Sequence, residues 1–479
     1  MNGSRDWFIA VLILFWAFCV PRFAHGQAPN AQGTAQSQQT FTLEQAVEFA
    51  LKNYPAVRAA LEQQSAAQSA VALTRTSYLP RADMLWQSNR ATRNNVFGLL
   101  LPQAVISPIS GPVLPTANGD SVWGSAAGLL FSWEPLDFGY RRAKVDAAKA
   151  NQNRATTEAS LTRLDVAVAV TDAFLTLLAA EQNVHAAEAD VNRREVLSRN
   201  IHALAANQLR PGADASRSDA ELARARINLI RDQQQQEISR AILAETLGIA
   251  GSGVEVSPGP LLGPPPQALP PAPPLSTHPL AAAQSAKVDE ERALSRALSR
   301  SYYPKFDFQS TVYGRGTGAN TDGTVEGGAN GLAFDRSNWA VGLTVTFPLL
   351  DIFSIRANQG IENANKRTEE ARYDLTLQGL KRQFAEAEIA LENARRVSEE
   401  TPKELEAARA GEAQAGARYG AGLATISEVA DAQGLLVQAE IDDSVARLAV
   451  WHNAASVAAA EGDLEPFFKV LREKSGGGQ

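Results

Sequence analysis

The chain has 479 residues, 45 % of them apolar, enough for a sizeable core and for two or three ordinary domains. Its formal net charge of -7 argues against nucleic-acid binding, which calls for a basic surface. The single cysteine, Cys19, falls inside a leader-like segment, so the remainder has neither thiol nor disulfide and must fold by packing alone.

Arg5 is followed by an apolar run over residues 8–20 and then by Ala24-His25-Gly26, a small-x-small cleavage pattern before Gln27. Residues 1–26 therefore read as a secretory signal peptide. That run has 13 residues, whereas a membrane-spanning helix needs about 20. No later stretch approaches that length without charges, so no helical anchor is expected after cleavage. Loss of Arg5, Asp6 and Arg22 moves the net charge from -7 to -8. Phe18 is too bulky for the residue that normally precedes a lipidated cysteine. Residues 27–40 are expected to form a flexible lead.

From there the chain is written twice. Tyr54-Pro55 followed by Tyr78-Leu79-Pro80-Arg81 returns as His278-Pro279 followed by Tyr302-Tyr303-Pro304-Lys305, with both prolines displaced by 224 residues. Each half, 41–256 and 277–462, is expected to run helix, strand, loop, strand, very long helix, tight turn, helix. Thr42-Leu43-Glu44-Gln45 has the form of a capping box and opens the first helix. The strands, expected near 81–93, 121–134, 304–314 and 338–348, carry period two. In the fourth, Trp339, Val341, Leu343, Val345 and Phe347 alternate with Ala340, Gly342, Thr344 and Thr346. The others alternate less cleanly, through Met84 and Trp86, through Trp123, Leu129, Phe131 and Trp133, and through Phe306 and Phe308. Each is near the roughly 9 to 11 residues that cross a bilayer as a tilted strand. Trp123, Phe131, Trp339, Val341, Leu343 and Val345 are the expected lipid-facing residues.

Residues 141–210 contain neither glycine nor proline, and at ~1.5 Å per residue such a helix would be roughly 100 Å long. It turns at residues 207–212 and returns, making a helical hairpin over 140–247. The second hairpin, 353–461, is interrupted by Gly360, Gly379, Pro402 and Gly411, where bends are expected. Between the halves, residues 257–276 hold nine prolines and read as an extended strap. Residues 463–479 are expected to be a tail.

Two pairs of strands leave two open edges, and open edges cannot sit in lipid. Outer-membrane barrels start at about eight strands, so copies must pool their strands; counting alone does not choose two, three or four.

The duplicated helix-Pro-strand unit, the run over 339–351 and the segment Tyr419-Gly420-Ala421-Gly422-Leu423-Ala424-Thr425-Ile426-Ser427-Glu428-Val429-Ala430-Asp431-Ala432-Gln433 together resemble the TolC-like outer-membrane efflux family over nearly the whole chain after the leader. The resemblance implies a mainly α fold with a membrane β-barrel: a homotrimer sharing a twelve-stranded barrel that continues into a long periplasmic coiled-coil tube. It also implies an outer-membrane location, a periplasmic adaptor and an inner-membrane RND or ABC pump as partners, and a passive duct for tripartite efflux or type I secretion.

Glu428 and Asp431, three apart on a helix, match the family positions that ring the pore mouth; repeated around a trimer they would favour cations. Tyr419 matches a position that holds the entrance shut, while the family's basic partner falls on Ala424 here. The exposed tips expected to dock the adaptor are Leu209, Arg210, Pro211 and Gly212 in one half and Gly420, Gly422 and Leu423 in the other.

The Gly-rich stretch 314–331 lacks the Lys-Ser/Thr ending and helix of a phosphate loop and reads as a mobile extracellular loop, as does 96–116. His185, His202, His278 and His452 show no ligand spacing, and no Gly-x-Ser-x-Gly elbow is present. No cofactor, metal or catalytic constellation is expected. The competing readings are a periplasmic coiled-coil scaffold without a pore and, more remotely, a periplasmic hydrolase. Neither pump nor cargo, whether drug, metal ion or polypeptide, is written in the residues.

Overall fold

The computed structural model describes residues 39–92, 121–208, 211–266, 274–320 and 324–476. The expected signal peptide, the lead up to residue 38 and the loop 96–116 lie outside those residues.

The first half opens with β1 (Gln39–Phe41), α1 (Leu43–Asn53) and α2 (Pro55–Arg75). Thr42 forms the capping box with Gln45, and Pro55 takes the first position of α2, where a missing N–H costs nothing. Strands β2 (Arg81–Thr92) and β3 (Ser121–Leu136) lead into α3 (Tyr140–Ala206), a helix of 67 residues, and α4 (Gly212–Thr246) returns along it. After β4 (Val254–Val256) the second half repeats the plan with α5 (Pro279–Arg300), β5 (Lys305–Thr317), β6 (Arg336–Thr346), α6 (Ile352–Gly420) and α7 (Ile426–Glu461), followed by α8 (Glu465–Gly476).

Helix lengths dictate the layout. At ~1.5 Å per residue α3 and α6 each extend roughly 100 Å from the sheet, whereas α4 and α7, of 35 and 36 residues, return only half that distance. Their ends therefore meet the starts of α2 and α5 near mid-length, where a Cβ added to Gly248 would lie 3.4 Å from the Tyr54 Cα and Gly462 sits beside His278 and Pro279. The main apolar core lies there: Leu43, Val170, Phe174, Leu177, Leu178, Leu243 and Leu247 are buried around Trp451 and Phe467, whose rings meet edge-on with centroids 6.1 Å apart.

Two expectations are corrected at this level. Residues 39 and 40, expected in the flexible lead, belong with Phe41 to a strand paired in parallel with β4. Residues 465–476 are not a tail but α8, whose Phe467, Phe468 and Leu471 are buried in the core. Helix α6 runs unbroken through Gly360, Gly379, Pro402 and Gly411. One missing N–H at Pro402 does not end a helix held along its length by α5 and α7, and the neighbouring Thr401 is buried and donates to Asp443 at 3.4 Å. The proline-rich strap also contributes to the core, since Leu261 is fully buried within a short 3-10 turn.

The four long strands form one antiparallel sheet in the order β2-β3-β5-β6, leaving β2 and β6 as its edges. β5 runs to Thr317, so Gly314 and Gly316 belong to the strand rather than to the loop expected from residue 314. Pairing between β3 and β5 shifts register between Trp133 and Leu136, where Pro135 cannot donate to the ladder.

His278 ties the start of α5 to the end of α7 at mid-length. Its Nδ1 accepts the Leu280 N–H at 3.0 Å, which assigns the ring proton to Nε2, and Nε2 donates to the Ala459 carbonyl at 3.2 Å. Gly462, with φ +91°, ends α7 so close to this ring that a Cβ would lie 2.8 Å from its Cδ2. Burial pushes the imidazole pKa down, against the Ala459 hydrogen bond and the Asp165 charge. A depressed folded-state pKa means stability is complete above the unfolded value near 6.5 and is lost as pH falls below it. The protein is expected to lose about 1 kcal/mol on acidification to pH 5, the worth of one cap. His278→Asn, which caps without titrating, should flatten that dependence; parallel melting curves for the two proteins between pH 8 and 5 would exclude it.

Candidate functional site

Register turns the strand sequences into two surfaces. Reading across the ladders, Phe131 stands beside Ser310 and Val341, Trp133 beside Phe308 and Leu343, and Leu129 beside Val312 and Trp339. Met84 and Trp86 extend the same face across β2. This face is apolar and open: Trp339 is 76 % exposed, Val341 59 % and Leu343 62 %, with Val345 on the same row. Trp123 and Phe131 are half-buried, Trp123 beneath the Arg90 guanidinium 5.8 Å from its centroid and Phe131 edge-on to Phe308. The opposite face carries Asp83, Gln87, Ser132, Asp307, Gln309, Thr311, Tyr313, Thr344 and Thr346, interspersed with Leu85 and with the buried Val122, Ala126 and Leu130. An apolar face continuous over four strands, backed by one that is mainly polar, suits a sheet between lipid and water.

At the far end the hairpin tips meet in a small core of Ile201, Ala215, Tyr419, Ala424, Ile426 and Val429. Tyr419 is buried there and its hydroxyl donates to Asp214 Oδ2 at 3.3 Å, joining the last turn of α6 to the first turn of α4. Glu428 is exposed, but its carboxylate accepts the Thr425 N–H at 3.3 Å and completes a capping box for α7. Its other oxygen lies 3.9 Å from an Arg418 guanidinium nitrogen. Asp431 is exposed one turn further along, and Ala424 is buried.

Above the tips lies a polar seam. Buried Arg194 donates from Nε to both Asp190 oxygens at 2.9 Å and from its fork to Glu221 at 3.2 Å. Arg193 grips Glu440 of the second hairpin at 3.2 and 2.8 Å. Asp219 takes hydrogen bonds from His202 and Ser198, which hold its carboxyl below the usual range. These residues, with Asp214 and Arg418, escaped sequence reasoning. Their one local signal was position, an acid in the first turn of α4 and a base in the last turn of α6.

Of the expected docking tips, Leu209 and Arg210 lie outside the described residues. Pro211 precedes α4 and Gly212 is its first residue; Gly420 ends α6. Gly422 has φ +78° and Leu423 is 71 % exposed. Among the described residues no group of three or more His, Asp or Glu side chains is placed to hold a metal ion, and no helix is long and apolar enough to cross a membrane.

Comparison with known proteins converges on one family. The family model described as outer membrane efflux protein matches residues 46–249 and 275–463. Protein CyaE of Bordetella pertussis is 25 % identical over 222 residues, 45 % of this chain and 42 % of that protein; the match thus spans less than half of the curated relative. Among solved structures, that of CusC, which describes conformational changes accompanying folding and transmembrane channel formation, superposes with a TM-score of 0.72 at 14 % identity, covering 90 % of this chain and 96 % of that one. The Campylobacter jejuni CmeC outer membrane channel gives 0.69 at 17 %, covering 90 % and 89 %. At such identities the structural likeness speaks for the fold alone.

Proposed function

Since this chain belongs to the outer membrane efflux protein family, whose model matches both of its halves, we propose that three copies pool their sheets into one twelve-stranded outer-membrane barrel and their long helices into a periplasmic tube. The assembly is a passive exit duct. An adaptor docks at the hairpin tips, and an inner-membrane pump of RND or ABC type supplies the energy, for efflux or for type I secretion.

The observation that carries this reading is the two-faced sheet whose edge strands, β2 and β6, have no outer partner strand among the described residues. Each unpaired backbone group in lipid costs several kcal/mol, which closure among copies removes. Purified in detergent, the protein should behave as a trimer by light scattering and give discrete conductance steps in planar bilayers. A water-soluble monomer without conductance would reject the duct and favour a scaffold.

Glu428 and Asp431 line the narrow mouth, six carboxylates in the trimer, and Tyr419 with Asp214 holds the two hairpin tips together. Because Glu428 also caps α7, the informative change is Glu428→Gln with Asp431→Asn, which keeps the capping box and removes the charge. The cation-to-anion permeability ratio is expected to fall several-fold with the fold intact. An unchanged ratio removes the charged-ring role.

Gly422 shapes the docking tip through its left-handed backbone, where a residue with a Cβ is strained by about 1–2 kcal/mol. Gly422→Val should abolish export in intact cells while trimers still assemble, and Gly422→Asn, which tolerates that conformation, should retain export. Loss of assembly in the valine variant would leave docking at this tip without support.

A further inference from the structure

Just below the sheet, where β3 passes into α3 and α5 into β5, lies a cavity of about 340 Å³ lined by Phe138, Gly139, Arg142, Asp146, Arg296 and Arg300, with Ser299 beside them. Three arginines from two helices line it, and all three side chains are exposed. Among the described residues none of the three has a carboxylate within ion-pair distance. The one acidic residue of the lining, Asp146, has its own partner in Lys149 at 3.6 Å. Arg300 lies over the Tyr303 ring, 5.8 Å from its centroid.

The cavity is continuous with the apolar face of the sheet. Phe138 stacks on Tyr303 at 5.5 Å and packs against Phe306 at 6.0 Å. Phe306 stands in the same row as Leu136 and Val345, the helix-side end of that face. Phe138 itself has φ +48°, a conformation that non-glycine residues avoid, and it is 49 % exposed. A half-exposed aromatic cluster between an apolar surface and a basic cavity has the composition of a membrane interface, where aromatic rings sit at headgroup level and basic pockets take phosphates.

We propose that this cavity binds the phosphate headgroup of an anionic glycerophospholipid from the leaflet facing the helices. Guanidinium forks from Arg142, Arg296 and Arg300 match phosphate oxygens in geometry and charge. The acyl chains lie up the apolar face past Phe138 and Phe306. Their continuity with that face selects a lipid over free phosphate, which would have no use for the aromatic wall. The inference rests on the membrane seat of the strands proposed above.

Native mass spectrometry of the detergent-purified assembly tests it, with phosphatidylglycerol, phosphatidylcholine or inorganic phosphate as probe. The wild type should retain phosphatidylglycerol in preference to phosphatidylcholine. The variant Arg142→Gln/Arg296→Gln/Arg300→Gln should retain it at least about tenfold less well, and an excess of inorganic phosphate should not displace it. Equal retention by variant and wild type, equal retention of the zwitterionic lipid, or displacement by inorganic phosphate would each overturn the proposal. Should the triple variant fail to assemble, Ser299→Glu, which adds an anion at an exposed helix position, decides by the same readout. Membrane fractionation of the wild type separates the two levels: extraction by salt alone would sink the membrane seat itself, whereas a membrane-held protein indifferent to these arginines sinks only the lipid site.

Discussion

Arginine at both Val341 and Leu343 is expected to keep the chain out of the outer membrane. The two residues stand next but one on β6, in the middle of the apolar face, in register with Phe131 and Trp133 across β5. An arginine facing lipid near the bilayer midplane costs about 2–4 kcal/mol. Two in each of three copies would cost roughly 12–24 kcal/mol in the proposed barrel, as much as or more than the whole stability of an ordinary domain, about 5–15 kcal/mol. Thr344→Arg, on the opposite face of the same strand, should be tolerated, because a side chain facing the lumen of the proposed barrel would keep its hydration. Quantifying each variant in the outer-membrane fraction and as assembled trimer is the measurement. Equal recovery of the double arginine variant and Thr344→Arg would show that this face does not meet lipid.

Gly128→Ala is expected to disrupt the ladder that joins the two halves. Gly128 lies opposite Tyr313, and a Cβ added there would sit 2.4 Å from the Tyr313 Cβ and 2.4 Å from the Val312 carbonyl oxygen. Neither atom is the end of a flexible side chain, so one strand must move away from the other. Overpacking of this kind typically costs 1–3 kcal/mol, incurred once in each copy. Gly342→Ala is the control, since nothing lies within 4 Å of its added Cβ. Thermal dissociation of the trimer should fall markedly for the first and barely for the second. Equal melting of the two variants would mean that β3 and β5 are not this closely apposed.

Both predictions draw on the sheet, whose sequence carries its own instructions. Alternation of Trp339, Val341, Leu343 and Val345 with small or polar residues specifies which face is which. It cannot specify the neighbouring strand. That Phe131 meets Ser310, and that this crossing joins the first half to the second, depends on α3 and α5 packing side by side beneath it. The site at the tips divides the same way. Glu428 as a helix-opening residue can be read locally, through Thr425 three positions earlier. The Tyr419 bond to Asp214 links residues 205 positions apart and exists because two separate hairpins end at the same level.

What the sequence determined by itself was the duplication, the helical hairpins and the two-faced strands, because these follow from periodicity and from absent glycine and proline. Only the tertiary structure decided the pairing of β1 with β4, the burial of α8, the continuity of α6 through Pro402 and the arginine-lined cavity beside Phe138. Strands of three residues carry no period, and a short C-terminal helix is ordered by the core it enters. A proline in a helix is tolerated when packing along the rest of its length outweighs one lost hydrogen bond. Charges from α3 and α5 become a site only when the fold sets them against one another.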